Sequence, residues 1–342
     1  MTAAAQLSYN SIDEYLGPGE TRFFSRGYRR AEYQIDNVMI TPADGVEPDV
    51  QATVTLRYPR DWSKKKSGVD LPPHLSSVDA LVLGAQLSEM YLSHAYGLDA
   101  AMRRKMWLRR VTLRAGSAPQ EHLEGLPAFA KLRETRAVPD TPNSFVSVFD
   151  CKFGAMQARC EIEHEIGGRV TTAWSCACAE DVLGPAVPRY YGEGFKFRRQ
   201  LIEDVRVDME TLRSFAAVRI DPTEEGHTTI EGIEGGYQPS VSMIDCFVVN
   251  LQLAQVLMYE MDAIERKDSN TLWMIRTILE AENPRRPYSP PLVAHTAVTG
   301  KHLLRLRGGI WRNTDIVGGL GGVNLRCSLA HELPKKIALA TA

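Results

Sequence analysis

Cysteine is scarce in this chain: six among 342 residues do not make a disulfide framework. No Cys-x-x-Cys pair occurs either, since Cys176 and Cys178 stand one residue too close. Reduced thiols in a cytoplasmic setting are the resulting expectation. A basic start followed by an apolar core is missing from Met1–Tyr15, so no secretory signal is expected. Excess charge is also missing: the formal net charge of −2 excludes a globally basic nucleic-acid binder. The two most apolar stretches, Val78–Leu92 and Met243–Met258, each carry an Asp and a Gln. They read as helices buried in protein rather than membrane spans. No His, Cys and carboxylate residues recur at metal-ligand spacing, so neither a metal nor a resident cofactor is expected. What is present, 44% apolar and 24% charged residues, is ordinary globular composition with enough core for two domains.

The chain repeats itself. Leu16-Gly17-Pro18 recurs as Leu183-Gly184-Pro185, 167 residues later. The same offset carries Arg22-Phe23-Phe24 onto Arg189-Tyr190-Tyr191, Gly27-Tyr28 onto Gly194-Phe195, and His164-Glu165 onto His331-Glu332. In between the offset is 166: Ser76, Asp79, Gln86 and Leu87 match Ser242, Asp245, Gln252 and Leu253, and Trp107 matches Trp273. Compensating loop changes produce such a shift, and an internal duplication accounts for it. The expected units are residues 1–175 and 176–342.

Each unit reads as strands around one helix. Tyr33–Thr41 and Val50–Tyr58 alternate and are rich in Val, Ile and Thr. Lys64-Lys65-Lys66 and Pro72-Pro73 mark a loop. Ser76 then opens a helix, with Asp79 at capping-box spacing. That helix is apolar nearly all round and must be enclosed. Strand-like runs follow at Met106–Leu113, Phe145–Phe153 and Met156–His164. The second unit repeats the order, with strands near Val205–Ile220, a helix over Val241–Met261, and strands at Leu272–Leu279, Leu303–Trp311 and Val323–His331. Gly318-Gly319-Leu320-Gly321-Gly322 lacks the setting of a nucleotide loop and reads as a hairpin. One buried helix wrapped by antiparallel strands is the hotdog pattern. The expected fold is therefore α+β, a double hotdog of two tandem repeats, with two independent α+β domains or a pair of cystatin-like sheets as the alternatives.

Polar residues on buried helices are the candidate chemistry. Asp79 and Gln86 lie seven apart on one helical face, and Asp245 and Gln252 repeat the pair. Each needs partners or a polar cavity. In the functional reading the aspartates are general acid/base groups and the glutamines orient a carbonyl. In the structural reading the aspartates cap helices and the glutamines tie down sheet backbone. Substrate-binding candidates are His164 and His331, beside Cys160 and Cys327 on a strand's apolar side, together with Trp107 and Trp273. For all four, a core role is the alternative. Basic clusters stand at Arg103-Arg104-Lys105, Arg109-Arg110, Arg198-Arg199 and Arg285-Arg286. Most read as solvated surface, but two flank the strand after each helix, where a tunnel mouth would suit a phosphopantetheine thioester.

The opening Ser11-Ile12-Asp13-Glu14-Tyr15-Leu16-Gly17-Pro18, followed by Arg22-Phe23-Phe24 and Gly27-Tyr28, resembles the start of the avirulence D (AvrD) family of bacterial proteins. The resemblance implies a biosynthetic enzyme that makes syringolide-type acylated sugar lactones. Such an enzyme would join a β-ketoacyl thioester, held on coenzyme A or acyl carrier protein, to a ketose such as xylulose. It also implies kinship with hotdog enzymes of γ-butyrolactone synthesis, which use β-ketoacyl carriers and a three-carbon phosphate. That second family usually has a Glu on the central helix, where Ala85-Gln86 and Leu251-Gln252 stand here. A hotdog thioesterase or dehydratase, or a non-catalytic acyl-signal binding protein, are the other readings. No nucleic-acid or membrane partner is expected, and the chain would be a monomer or homodimer.

Overall fold

Two 19-residue helices organise the molecule, α1 (Ser77–Ala95) and α2 (Met243–Met261). The computed structural model describes residues 6–42, 49–66, 69–70, 72–223, 229–269, 272–288, 292–306 and 308–334. Both helices start with the same device. The Ser76 hydroxyl accepts from the Asp79 N–H while the Asp79 carboxylate accepts from the Ser76 N–H, and Ser242 and Asp245 do likewise. Beyond the caps, each helix is buried around almost its whole circumference, as a helix without a polar face must be. No described helix is long and apolar enough to cross a membrane.

Fourteen strands supply the cover. In chain order they are β1 (Gln6–Ser11), β2 (Glu32–Thr41), β3 (Asp49–Arg57), β4 (Trp107–Arg114), β5 (Leu126–Ala137), β6 (Phe145–Phe153) and β7 (Met156–His164). Then come β8 (Trp174–Cys178), β9 (Arg198–Asp208), β10 (Arg213–Pro222), β11 (Trp273–Ala281), β12 (Leu292–Leu306), β13 (Gly309–Leu320) and β14 (Val323–Glu332). They form one antiparallel sheet in the order β1-β9-β10-β12-β13-β14-β11-β4-β7-β6-β5-β3-β2-β8. A long helix enclosed by a curved antiparallel sheet fits a hotdog fold.

The sheet joins its halves at β4 and β11, where Thr112 faces Ile278. At the outer edges the first strands cross over. β1 pairs with β9 of the later half, and β8 pairs with β2 of the earlier one. A division at 175/176 falls inside β8. Matching bulges interrupt β2 between Asp36 and Met39 and β9 between Glu203 and Arg206. Asn37 and Asp204, both at positive φ, sit in them and bend these strands, each next to an edge of the sheet.

Strand alternation sets the core. In β7, Met156, Ala158, Cys160, Ile162 and His164 turn inward, while Gln157 and Arg159 are exposed outside. Gly84 lets α1 approach this face closely, because a Cβ there would lie 3.0 Å from the Cys160 sulfur. Two expectations need correction. Leu303–Trp311 is not one strand but the turn region of the β12–β13 hairpin, broken by Gly308 at φ +78. β5 had no sequence signal because only its first half alternates: Leu126, Ala128 and Ala130 are covered, whereas Glu134, Thr135 and Arg136 run past the core. Gly321 and Gly322 turn β13 into β14 at positive φ, a hairpin as read.

Candidate active site

Asp79 is fully buried at the head of α1. The Tyr33 hydroxyl donates to its Oδ1 at 2.7 Å, and the Tyr58 hydroxyl is shared between both oxygens at 2.8 Å. The Ser76 N–H donates to Oδ2 at 2.7 Å. Burial raises its pKa, opposed by the Ser76 backbone and the two phenols. The carboxylate is thus committed to a helix cap and two tyrosines. Asp245 is held differently. Gln200 Nε2 donates to Oδ1 at 2.7 Å, Ser242 donates twice to Oδ2 at 2.8 Å, and Arg198 Nη1 lies 3.4 Å away. Arg198 also stacks on Tyr190 at 4.2 Å; burial alone would lower its pKa, but Asp245, Tyr190 and Tyr288 together raise it.

The two glutamines do not join these aspartates. Each reaches toward the opening segment of the other half. Gln86 Oε1 accepts from Arg189 Nη1 at 3.2 Å, and Gln252 Nε2 donates to the Phe24 carbonyl at 3.1 Å and to that of Val248 at 3.0 Å. The histidines lie elsewhere. Ser147 donates to His164 Nε2 at 2.7 Å, His164 Nδ1 donates to the Glu165 carbonyl at 2.7 Å, and the ring stacks on Tyr96. Burial pushes the His164 pKa down to about 4. His331 Nε2 is 3.1 Å from Asp262, which Arg312 also binds. Burial would raise the Asp262 carboxyl, but His331 and Arg312 hold it below the usual range. Trp107 is buried under Arg109, at 5.5 Å. His164, His331 and Trp107 therefore belong to packed surroundings, whereas Trp273 lines a cavity.

That cavity, of about 110 Å³, lies between the start of α1, the middle of α2 and the first residues of β11. Phe23, Phe24, Trp62 and Trp273 supply aromatic walls, and Arg22, His74, Ser76 and Gln255 the polar ones. Phe23 and Trp62 meet edge to face at 5.2 Å, and Phe24 meets Phe247 of α2 at 5.9 Å. His74 is oriented by Trp62, 5.2 Å away, and by the Pro72 carbonyl, 3.2 Å from Nδ1. A carbonyl only accepts, so the neutral ring keeps its proton on Nδ1 and offers Nε2 as the base. Arg22 is 3% exposed. Its Nη2 pairs with Asp13, while Nε and Nη1 are buried without partners among the described residues. Burial lowers its pKa to about 10, opposed by Asp13, so it stays charged at neutral pH. A wider groove of about 570 Å³ meets the cavity at Arg22.

The matching place in the other half is built from charge. Arg189, the counterpart of Arg22, lies against Gln86 and against Glu89, the counterpart of Gln255. Glu89 is 1% exposed, and Arg103 is 4.0 Å from its Oε1. Burial raises its pKa, offset by Arg189 and Arg103. Gly232 presses on it: a Cβ there would lie 2.9 Å from Oε1. Beside it, Arg286 binds Glu234 at 3.0 Å, both nearly fully buried.

Sequence reasoning missed Arg22, His74, Gln255 and Glu89. For Glu89 the signal was in view, a carboxylate one turn past Gln86 on an otherwise apolar helix. Of the basic clusters, only Arg199 opens onto the groove. Lys105, Arg109 and Arg110 pair with Glu165, Glu163 and Glu280, and Arg198 and Arg286 are buried in the ion pairs above. Among the described residues no group of His, Cys, Asp and Glu could hold a metal.

Several solved structures are similar over most of the chain. A hotdog-fold protein of unknown function from Alicyclobacillus acidocaldarius is 10% identical, covering 85% of this chain and 95% of its own, with a TM-score of 0.36. The 12:0-ACP thioesterase of Umbellularia californica is 12% identical, with coverages of 83% and 95% and a TM-score of 0.41. The RzxB dehydratase domain of Pseudomonas fluorescens is 11% identical, with coverages of 82% and 94% and a TM-score of 0.35. Likeness at this level says nothing about this chain's chemistry. No curated protein matches in sequence. The model of the Pseudomonas avirulence D protein (AvrD) family, however, matches residues 7–334, and the chain belongs to that family.

Proposed function

We propose that the chain is a fused pair of hotdog units with one working cavity, which joins a β-ketoacyl thioester to a sugar or small polyol and yields an acylated lactone of the syringolide type. The observation that carries this reading is the convergence of His74, Arg22 and four aromatic side chains on one cavity. The aromatic walls suit an acyl chain. His74 Nε2 takes the proton of the acceptor hydroxyl as its oxygen attacks the thioester carbonyl. Arg22 is the cation that offsets the charge gathering on the carbonyl oxygen. The carbon–sulfur bond then breaks, and the thiolate leaves with the proton held by His74. The carbon between the two carbonyls of the ester is acidic, and its deprotonation by the same nitrogen allows aldol attack on the ketose carbonyl, closing the ring with loss of water. The acyl donor is carried on phosphopantetheine of coenzyme A or acyl carrier protein. Asp79 and Asp245 hold the fold around the cavity in this scheme, and Gln86 and Gln252 bind the halves together.

The test is to incubate the protein with a β-ketoacyl carrier and candidate ketoses and to look by mass spectrometry for the joined product. His74→Ala should slow its formation by about 10²–10⁴-fold without lowering the denaturation midpoint. Free acid alone would show a thioesterase. An unchanged mixture with a tightly bound acyl group would show a binding protein.

A further inference from the structure

The groove that meets the cavity at Arg22 carries six cationic side chains and three carboxylates, in a chain whose net charge is −2. Several of these charges are already matched. Arg22 pairs with Asp13, Arg30 with Asp61 at 2.6 Å, and Lys196 with Glu193 at 2.6 Å. Arg26, Arg29 and Arg199 have no ion-pair partner among the described residues. Arg26 and Arg199 are exposed along the groove, and Arg29 keeps a buried Nε without a hydrogen-bond partner. A buried N–H with no acceptor is costly unless a ligand supplies one. Charge repulsion among three arginines is likewise relieved by an anion.

The groove is also one-sided. At the 167-residue offset, Arg26 corresponds to Glu193, Arg30 to Phe197, and Arg199 to Glu32. The same place in the other half therefore lacks the excess of positive charge. Shape alone would not produce this difference, because the backbone around Gly27 and Gly194 forms the same short helical turn in both halves. Both halves line the groove, where Arg29 and its counterpart Lys196 both lie, and the cationic excess stands beside the open cavity.

We propose that this groove is a phosphate-binding site for a substrate of the reaction proposed above, on which the inference rests. Arg26, Arg29 and Arg199 hold the phosphate oxygens through charge-assisted hydrogen bonds, and Arg22 marks the passage to the cavity. Two sources share this chemistry, the phosphate groups of the acyl donor and a phosphate ester on the sugar acceptor.

Calorimetric titration of the full chain separates them. Coenzyme A and a ketose phosphate are compared with their phosphate-free twins, pantetheine and the free ketose. At least one phosphorylated probe should bind about tenfold or more tighter than its twin. That advantage should shrink with added salt and vanish in the Arg26→Ser/Arg199→Ser double variant, while the twin's affinity stays unchanged. Both positions are exposed, so the variant should keep the parent's near-ultraviolet circular dichroism. Coenzyme A alone behaving this way assigns the donor, a ketose phosphate alone the acceptor, and either supports the site. Equal affinity of phosphorylated and free probes, an unchanged double variant, or no binding of any probe overturns it. Failure of the reaction shows itself separately: phosphate-dependent binding without any joined product condemns the chemistry and supports the groove.

Discussion

Two corresponding places in this molecule have been built for opposite ends. Arg22, Phe23, Phe24, Ser76, Gln255 and Trp273 surround a cavity. Their counterparts Arg189, Tyr190, Tyr191, Ser242, Glu89 and Trp107 pack into a buried, charged and hydroxylated core. In the first place Arg22 pairs with Asp13 through Nη2 and keeps Nε and Nη1 without partners among the described residues; in the second Glu89 lies against Arg189, which keeps only Nη2 so. One exchange on the central helix, Gln255 for Glu89, leaves a neutral amide in the first place and puts a buried carboxylate in the second. Both helices carry the same cap, whereas the described cavity lies at one of the two places.

Breaking the charged copy should have the largest effect. Glu89→Ala strips Arg189 of its carboxylate in a buried place, and a loss of about 3–5 kcal/mol in unfolding free energy is expected. Gln255→Ala, at the matching position, should cost about 1 kcal/mol, the scale of one modest contact. Guanidinium denaturation of both variants measures the contrast, and equal losses would remove the distinction between the two places.

The histidines give a second contrast. His164 has a folded pKa of about 4, set by burial, against an ordinary value of 6.5. As pH falls, the unfolded chain takes up the proton first. The His164 contribution is therefore complete above about pH 6.5 and drains away between 6.5 and 4, by up to about 3 kcal/mol. His331 has a different neighbour, Asp262 at 3.1 Å. Denaturation midpoints taken across this range should flatten in His164→Phe, and a slope that persists unchanged would place the acid sensitivity elsewhere.

The smallest effect sharpens the role of the caps. Asp79→Asn weakens a capping box and the two tyrosine bonds, for an expected loss of about 1–2 kcal/mol with product formation retained. Loss of product at undiminished stability would return Asp79 to the chemistry. Thermal melts and product assays on one preparation decide between the two.

The buried helices were legible because their residues are apolar at every azimuth, a pattern with only one stable setting. The caps were legible because Ser76 and Asp79 stand at the spacing their reciprocal bonds require. His74 was not, since it lies in a proline-rich stretch with no periodicity, and only the fold brings it beside Trp62 and Trp273. The surroundings of His164 and His331 were not legible either, because an inward position on a strand does not say whether the neighbour is a cavity, a serine such as Ser147 or a carboxylate such as Asp262.

Local spacing determined the caps and the strand alternation, because each depends on neighbours along one segment, and the offset of 166 or 167 residues determined which positions correspond. Tertiary structure decided which first strand covers which edge. It also decided which arginine meets a carboxylate, and that the Arg22 side holds the cavity and its cationic groove. Those outcomes depend on contacts between separate segments of the chain, and on charge neutralised by contact, which no pattern within a segment records.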